Sequence, residues 1–371
     1  MPPLNDPLRE GERLLVICNA CRYCEGYCAV FPAMERRRVF SDADLKYMAN
    51  LCHNCSECYY ACQYAPPHEY AVNLPRTLAE IRVQSYQQYA WPERLARACQ
   101  KNWLVAALML LVGLTAAICG GAALGQGGGI LISPGAGQFY RIIPHHVMVG
   151  SFGVVSLLVL LVLLAGFVRF WRETGEGFRA LLHGKALARG LGDAFTLRYM
   201  SSAGAGCTYP NEERSMSRRW FHHLTFYGFV LCFASTSVAA FYSNVLGWAA
   251  PYGYLSAPVI LGTLGGIGLL IGPAGLLLLK WRRNRETGDP GQSGMDTSFM
   301  ALLFLVSLTG LLLLALRGTS AMGILLAIHL GAVMALFLTF PYGKFVHGIY
   351  RSAALVRNAL EHERQGVEAG R

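Results

Sequence analysis

Six long apolar runs divide this chain from residue 102 onward, and nothing comparable precedes them. They lie near 102–124, 146–170, 220–243, 255–279, 298–316 and 322–343. Each reaches the roughly 20 residues an α-helix needs to cross the hydrocarbon of a bilayer. Residues 1–100 instead mix short apolar stretches with polar and charged ones, the texture of a folded polar head. Within that head, Ser41 followed by Asp42 and Asp44 predicts an N-cap with acidic residues in the first turn. The helix it starts delivers the chain to Cys52. From Asn73 to Lys101 the pattern is helical and amphipathic, a connector to the membrane. The chain is therefore expected to be mainly α, with a head at 1–100, a six-span transmembrane domain at 101–350 and a tail at 351–371.

Charge adds an orientation. The segment from Trp171 to Arg219 carries eight Lys and Arg, 280–297 carries Lys280, Arg282, Arg283 and Arg285, and the stretch after Pro341 carries five. Between them, 125–145 has only Arg141, 244–254 has none and 317–321 has Arg317. The positive-inside rule places the head, the 171–219 loop and the C-terminus together in the cytoplasm. The net charge of +10 is thereby used in topology, and no basic stripe with interleaved aromatics predicts a nucleic-acid partner. The start, MPPLNDPLREGERLL, has no apolar signal core. Gly125–Gly129 (GQGGG) follows an apolar helix rather than a strand, so a loop is expected there and not a phosphate cradle. No dinucleotide fingerprint occurs, so the chain is not expected to hold its own NAD or FAD.

Cysteine usage supplies the chemistry. Of twelve cysteines, eight fall between Cys18 and Cys62 in two copies of one spacing: Cys18, Cys21, Cys24, Cys28 and Cys52, Cys55, Cys58, Cys62. Three thiolates at steps of three wrap one face of an iron–sulfur cubane, and the fourth reaches the neighbouring cluster. The expected ligand sets are Cys18, Cys21, Cys24 and Cys62 for one [4Fe–4S] cluster, and Cys52, Cys55, Cys58 and Cys28 for the other. Zinc is the rival, but a tetrahedron fed by two CxxC pairs leaves the third cysteine of each triplet without a role. Many ferredoxin repeats place proline directly after the fourth cysteine; here Ala29 and Gln63 stand there, with prolines displaced to Pro32 and Pro66. With helical text before Cys52, the head resembles the α-helical ferredoxin domains of fumarate reductase-like and heterodisulfide reductase-like subunits. Cys99, Cys119, Cys207 and Cys232 are read as small apolar fillers, Cys207 being notable for its place in the long loop near the third span.

Histidines mark the membrane region. His145 and His146 open the second span at its outer end, His222 and His223 open the third at its inner end, His329 lies in the sixth and His347 follows it. A single histidine at a helix end is more often interfacial than a ligand. Polar residues within a bilayer nonetheless need a partner, and haem iron takes neutral imidazole. His329 and His347 are 18 residues apart, five turns of one continuous helix, which puts them roughly 27 Å apart. Depth then pairs His146 (or His145) with His329 toward the outside and His222 (or His223) with His347 toward the inside. Pro341 between the last two can kink that helix. One or two b-type haems are expected.

The paired CxxCxxCxxxC head, RRWFHHLTFYGF at 218–229 and HLGAVMALFLTFPYGKFVH at 329–347 resemble the tricarballylate-utilisation protein B (CitB-like) family over nearly the whole chain. The last segment also resembles the haem-binding end of nitrate reductase gamma subunits, which implies His329 and His347 as ligands. The family resemblance implies a protein of the bacterial inner membrane that reoxidises the reduced FAD of a partner tricarballylate dehydrogenase and delivers electrons to quinone. Two other readings are a heterodisulfide reductase-like subunit, which needs a further cysteine cluster, and a membrane-tethered redox sensor, which needs a signalling domain.

Overall fold

The computed structural model describes residues 5–101, 103–125, 139–200 and 206–369. Positions 126–129 of the glycine-rich loop therefore lie outside the described residues. The head is built from α1 (Pro7–Cys21), α2 (Val30–Glu35), α3 (Asp42–Leu51), α4 (Glu57–Tyr60), α5 (Leu74–Tyr89) and α6 (Glu93–Lys101). Ser41 caps α3 as its sequence requires: its Oγ accepts from the Asp44 N–H at 3.2 Å, and the Asp44 carboxylate accepts from the Ser41 N–H at 3.3 Å. Cys52 ends the same helix. The expected single connector is two helices, broken at Ala90–Pro92, and α5 is buried in the head rather than spanning to the membrane.

After the head come α7 (Trp103–Gly125), α8 (Phe139–Ile142), α9 (His145–Glu173), α10 (Gly184–Phe195), a two-stranded antiparallel pair β1 (Cys207–Thr208) and β2 (Arg214–Ser215), and α11 (Ser217–Asn244). The chain closes with α12 (Ala257–Trp281), α13 (Pro290–Ala315), α14 (Met322–Thr339) and α15 (Val346–Ala369). Among the described residues, five helices are long and apolar enough to cross a membrane: α9, α11, α12, α13 and α14. In α7, at the place of the first expected span, the described apolar run is Ala106–Ala116. Along α9, Val154, Leu157, Leu158, Leu160, Leu161 and Leu164 are 53–61% exposed, a surface suited to lipid and not to water.

Glycines let α11 and α12 touch backbone to backbone. A Cβ on Gly268 would stand 2.9 Å from the Leu224 carbonyl oxygen, and one on Gly272 2.4 Å from the Thr225 hydroxyl. Small residues at such crossings are how helices pack where burial of apolar surface from water gives no drive. His222 lies in this contact stretch of α11.

Two expectations need correction. The helix carrying His329 does not continue to His347: α14 stops at Thr339, and Phe340 and Phe345 stack at 3.9 Å across the turn that follows. Pro341 has no N–H to continue the ladder and its ring excludes the helical course of the preceding turn. The five-turn shared face of one continuous helix, on which the 27 Å figure rests, therefore does not exist. Residues 351–369 are also no loose tail. They belong to α15, whose Ala353, Ala354, Leu355, Val356, Ala359 and Leu360 are buried in the same core as the head helices. Ion pairs from Arg36 and Arg37 to Glu361, at 3.1 and 2.6 Å, fasten it there. Lys46 of α3 likewise pairs with Glu173 at the end of α9 at 2.6 Å. The head, α10 and α15, with the adjoining ends of α9 and α13, thus share one core at one end of the apolar bundle.

Candidate metal centre

Each cysteine run is shaped by local backbone. Cys18 and Cys21 lie on the last turn of α1, which Arg22 closes in the left-handed region (φ 55°). In the second run Cys55 sits between Asn54 (φ 53°) and Ser56 (φ 66°), two non-glycine residues in that same region. Such backbone costs of the order of 1–3 kcal/mol per residue and gathers at functional sites. Amide hydrogens are aimed at the sulfurs. Cys52 Sγ accepts from Asn54 N–H at 3.3 Å, Cys28 from Val30 and Phe31, Cys55 from Glu57, and Cys62 from Tyr64 and Ala65.

The sulfurs line two cavities. One, of about 270 Å³, has Cys18, Cys21, Cys24 and Cys62 in its wall, together with Ile17, Tyr23, Phe31, Tyr64 and Leu74. The other, a narrower space of about 20 Å³, has Cys28, Cys52 and Cys55, with Tyr27, His53 and Leu78. Cys58 borders both. Among the described residues no three His, Cys, Asp or Glu side chains converge as closely as one metal ion requires; the thiols surround a volume rather than a point.

Burial and the neighbouring sulfurs push the Cys18 and Cys24 thiols up to about 12. Burial likewise lifts Cys28 and Cys58 well above the ordinary thiol range. Cys55 is lifted by a hydrogen bond with Cys207 and then by burial. Thiols so placed stay protonated unless a cation replaces their protons, since a bound metal inverts this electrostatic logic. The donor set therefore fits a polynuclear iron–sulfur group that is taken up with proton release.

The second cysteine loop is held by four arginines. Arg82, 1% exposed, donates to the carbonyls of Ala49 (2.7 Å) and Cys52 (2.8 Å). Arg351 donates to Asn50 O (3.3 Å) and Cys52 O (2.6 Å). Arg218 donates to His53 O (2.9 Å) and Asn54 O (3.0 Å), and Arg283 to the Asn54 side-chain oxygen (3.0 Å). Burial and the neighbouring Arg82 pull the Arg351 guanidinium down to about 10. The sequence pattern does not single these arginines out. The signal available is Arg218 one turn before His222 and Arg351 one turn after His347.

Cys207 does more than fill space. It is 1% exposed, its register in the β1–β2 pair faces Ser215, and its thiol bonds Cys55 and the Met200 carbonyl (2.9 Å). Cys232 is the filler expected, packed where α11 meets Gly265 of α12.

The histidines separate into two places. The His222 and His347 rings meet at 6.0 Å between centroids, 75° apart in plane. His347 Nδ1 is hydrogen-bonded to the Lys344 carbonyl at 2.5 Å, which fixes the proton on Nδ1 and leaves Nε2 as a lone-pair donor. Two imidazoles facing one metal from opposite sides, each nitrogen about 2 Å from it, would have ring centroids roughly 6 Å apart, the separation of this pair. His329 is held against α13: its Nδ1 is 3.1 Å from Thr309 Oγ1, and a Cβ on Gly310 would come within 2.9 Å of its ring. His145 meets Ser243 Oγ at 3.3 Å and the Tyr140 ring, while His146 is exposed. No ring contact joins either of these to His329 among the described residues. His223 stacks on Tyr227.

Two family models cover the chain. One, described as citrate utilization protein B, matches residues 99–368, and the other, the Fer4-like domain of citrate utilization protein B, matches residues 11–88. A curated relative from Escherichia coli, citrate utilization protein B, is 51% identical over 369 residues, 99% of this chain and 96% of its own length. No solved structure matches.

Proposed function

We propose that this chain, which belongs to the citrate utilization protein B family, is a membrane-bound electron carrier in the use of citrate or tricarballylate. It takes electrons from the reduced FAD of a partner dehydrogenase and passes them to quinone through two [4Fe–4S] clusters and b-type haem. Substrate oxidation belongs to the partner flavoprotein.

The observation that carries this reading is the arrangement of the eight cysteines around two adjoining cavities, with Cys58 bordering both. Cys18, Cys21, Cys24 and Cys62 would hold one cluster, and Cys28, Cys52, Cys55 and Cys58 the other. Thiolate-ligated cubanes supply one-electron exchange and no bond chemistry when every iron has a protein ligand. The protein's own part is to hold the thiols, to present amide hydrogens to their sulfurs, and to exclude water from the inner site.

His222 and His347 would hold a haem at the inner end of the bundle. The support is their ring separation and the fixed tautomer of His347. Arg218 and Arg351, each one turn from one of these histidines, bond the loop Asn50–Asn54, so the inner cysteine site and the histidine pair share the same scaffold. A second, outward haem between His146 (or His145) and His329 rests on depth along the spans. With α7 counted, the bundle has six crossings. By the positive-inside rule, the loops rich in Lys and Arg support both termini lying on the cytoplasmic side of a bacterial inner membrane. The disulfide reductase alternative needs further clustered cysteines, and among the described residues no group of three or more cysteines lies outside the eight.

Membranes containing this chain should show b-type bands on dithionite reduction, and the bands should bleach when a quinone analogue is added. Intact clusters without those bands would remove the haem and leave a cluster relay.

A further inference from the structure

Among the described residues, the four arginines around the second cysteine loop make no bond to an acid. Every hydrogen bond made by Arg82, Arg218, Arg283 and Arg351 ends on a neutral oxygen: main-chain carbonyls, the side-chain oxygens of Asn54 and Gln292, or the Thr287 hydroxyl. Acids on the same elements are otherwise engaged: Asp296 pairs with Lys344, Glu57 with Arg214, and Glu286 accepts from Tyr59. Buried or half-buried cations without a counter-anion are costly, and a fold keeps them when an anion is to be held nearby. A cubane on four thiolates carries net negative charge and gains one more on reduction. The first cavity is surrounded differently: among the described residues its wall is apolar, aromatic or amide apart from the sulfurs, and Arg22, which donates to the Asn19 carbonyl beside it at 3.1 Å, is exposed and not buried.

Resting on the two-cluster reading above, we infer that Arg82, Arg218, Arg283 and Arg351 form a cationic collar that gives the Cys28/Cys52/Cys55/Cys58 site the higher reduction potential. The electron given up by the reduced flavin of the partner therefore settles on the inner site, on the side of the His222–His347 pair, and not on the outer Cys18/Cys21/Cys24/Cys62 site. The guanidinium groups do not line the inner cavity. They act through the end of α3 and the turn after it, Ala49–Asn54, whose main-chain carbonyls and Asn54 side chain they bind, and their charge adds to that of the amide hydrogens aimed at the sulfurs. They are positioning residues for electron flow.

The test is a potentiometric EPR titration of the full chain in membranes, with Cys55→Ser used to identify the inner site's signal. In Arg283→Gln and in Arg351→Gln the inner site's one-electron equilibrium should shift roughly tenfold toward the oxidised form, about 59 mV. The outer site should not move, and Arg351→Lys should restore most of the shift. If Arg351→Gln loses inner-site iron, Arg283→Gln decides the matter, since its guanidinium reaches the loop through the Asn54 side chain and spares the bonds on Cys52. Unshifted Gln variants with full iron, equal shifts at both sites, or a Lys variant as displaced as Gln would each overturn the collar. A wild-type protein without two cubane signals would instead overturn the two-cluster reading itself.

Discussion

Cys28→Ser is expected to remove the same paramagnetic centre as Cys55→Ser, and to spare the centre that Cys21→Ser destroys. Cys28 is four residues from Cys24, yet it lines the cavity of Cys52, Cys55 and Cys58 while Cys24 lines the other. Its sulfur accepts amide hydrogens from Val30 and Phe31 at the start of α2, which turns it from the first run toward the second. Loss of one cubane should take about half of the iron and acid-labile sulfide with it. Crossed ligands would also tie the two halves of the head together, so all three variants should melt earlier and be cut more readily by protease. Iron analysis and EPR on the three purified variants check this. Should Cys28→Ser share its lost signal with Cys21→Ser, the ligation is not crossed.

His222→Ala and His347→Ala are expected to abolish one and the same b-type band while leaving the cluster signals in place. Their rings come from helices far apart in the chain and meet at 6.0 Å. If the pair holds one haem as proposed, removing either imidazole would take away one of the protein ligands of the same iron. His329→Ala should act on a different band, because His329 is set against Thr309 and Gly310 on α13 and not against this pair. Reduced-minus-oxidised difference spectra of membranes decide it. Two separate bands lost by His222→Ala and His347→Ala would show that the two histidines do not share a haem.

The parts of this molecule legible in sequence are those governed by local rules. The capping box at Ser41 and Asp44, the steps of three between cysteines and the long apolar runs all depend on neighbours within a few turns; α3 starts at the capping box, and among the described residues five of the six apolar runs form helices long enough to cross a membrane. The proline at 341 is visible too, but whether a helix bends or ends there depends on what packs nearby, here the stacked Phe340 and Phe345. The amphipathic stripe of α15 is masked by its charges, of which Glu361 and Arg357 are ion-paired to the head and not solvated.

What sequence does not reveal depends on tertiary approach. Arg82 and Arg351 reach the Cys52 carbonyl from 30 and 299 residues away. Cys207 reaches Cys55 only because a two-residue strand pair sets its register. No local pattern marks an arginine whose partner is a carbonyl on a distant loop. Its lack of an acidic neighbour becomes visible only when the neighbours are known.

Electron transfer by this chain requires that the eight sulfurs of the head bind iron in two cubanes. Iron, zinc and acid-labile sulfide can be counted on anaerobically purified full-length protein, and its EPR spectrum recorded after reduction. Two neighbouring [4Fe–4S] clusters should give about eight iron and eight sulfide per chain, with a magnetically coupled signal. Colourless protein with zinc in place of iron and sulfide would contradict them.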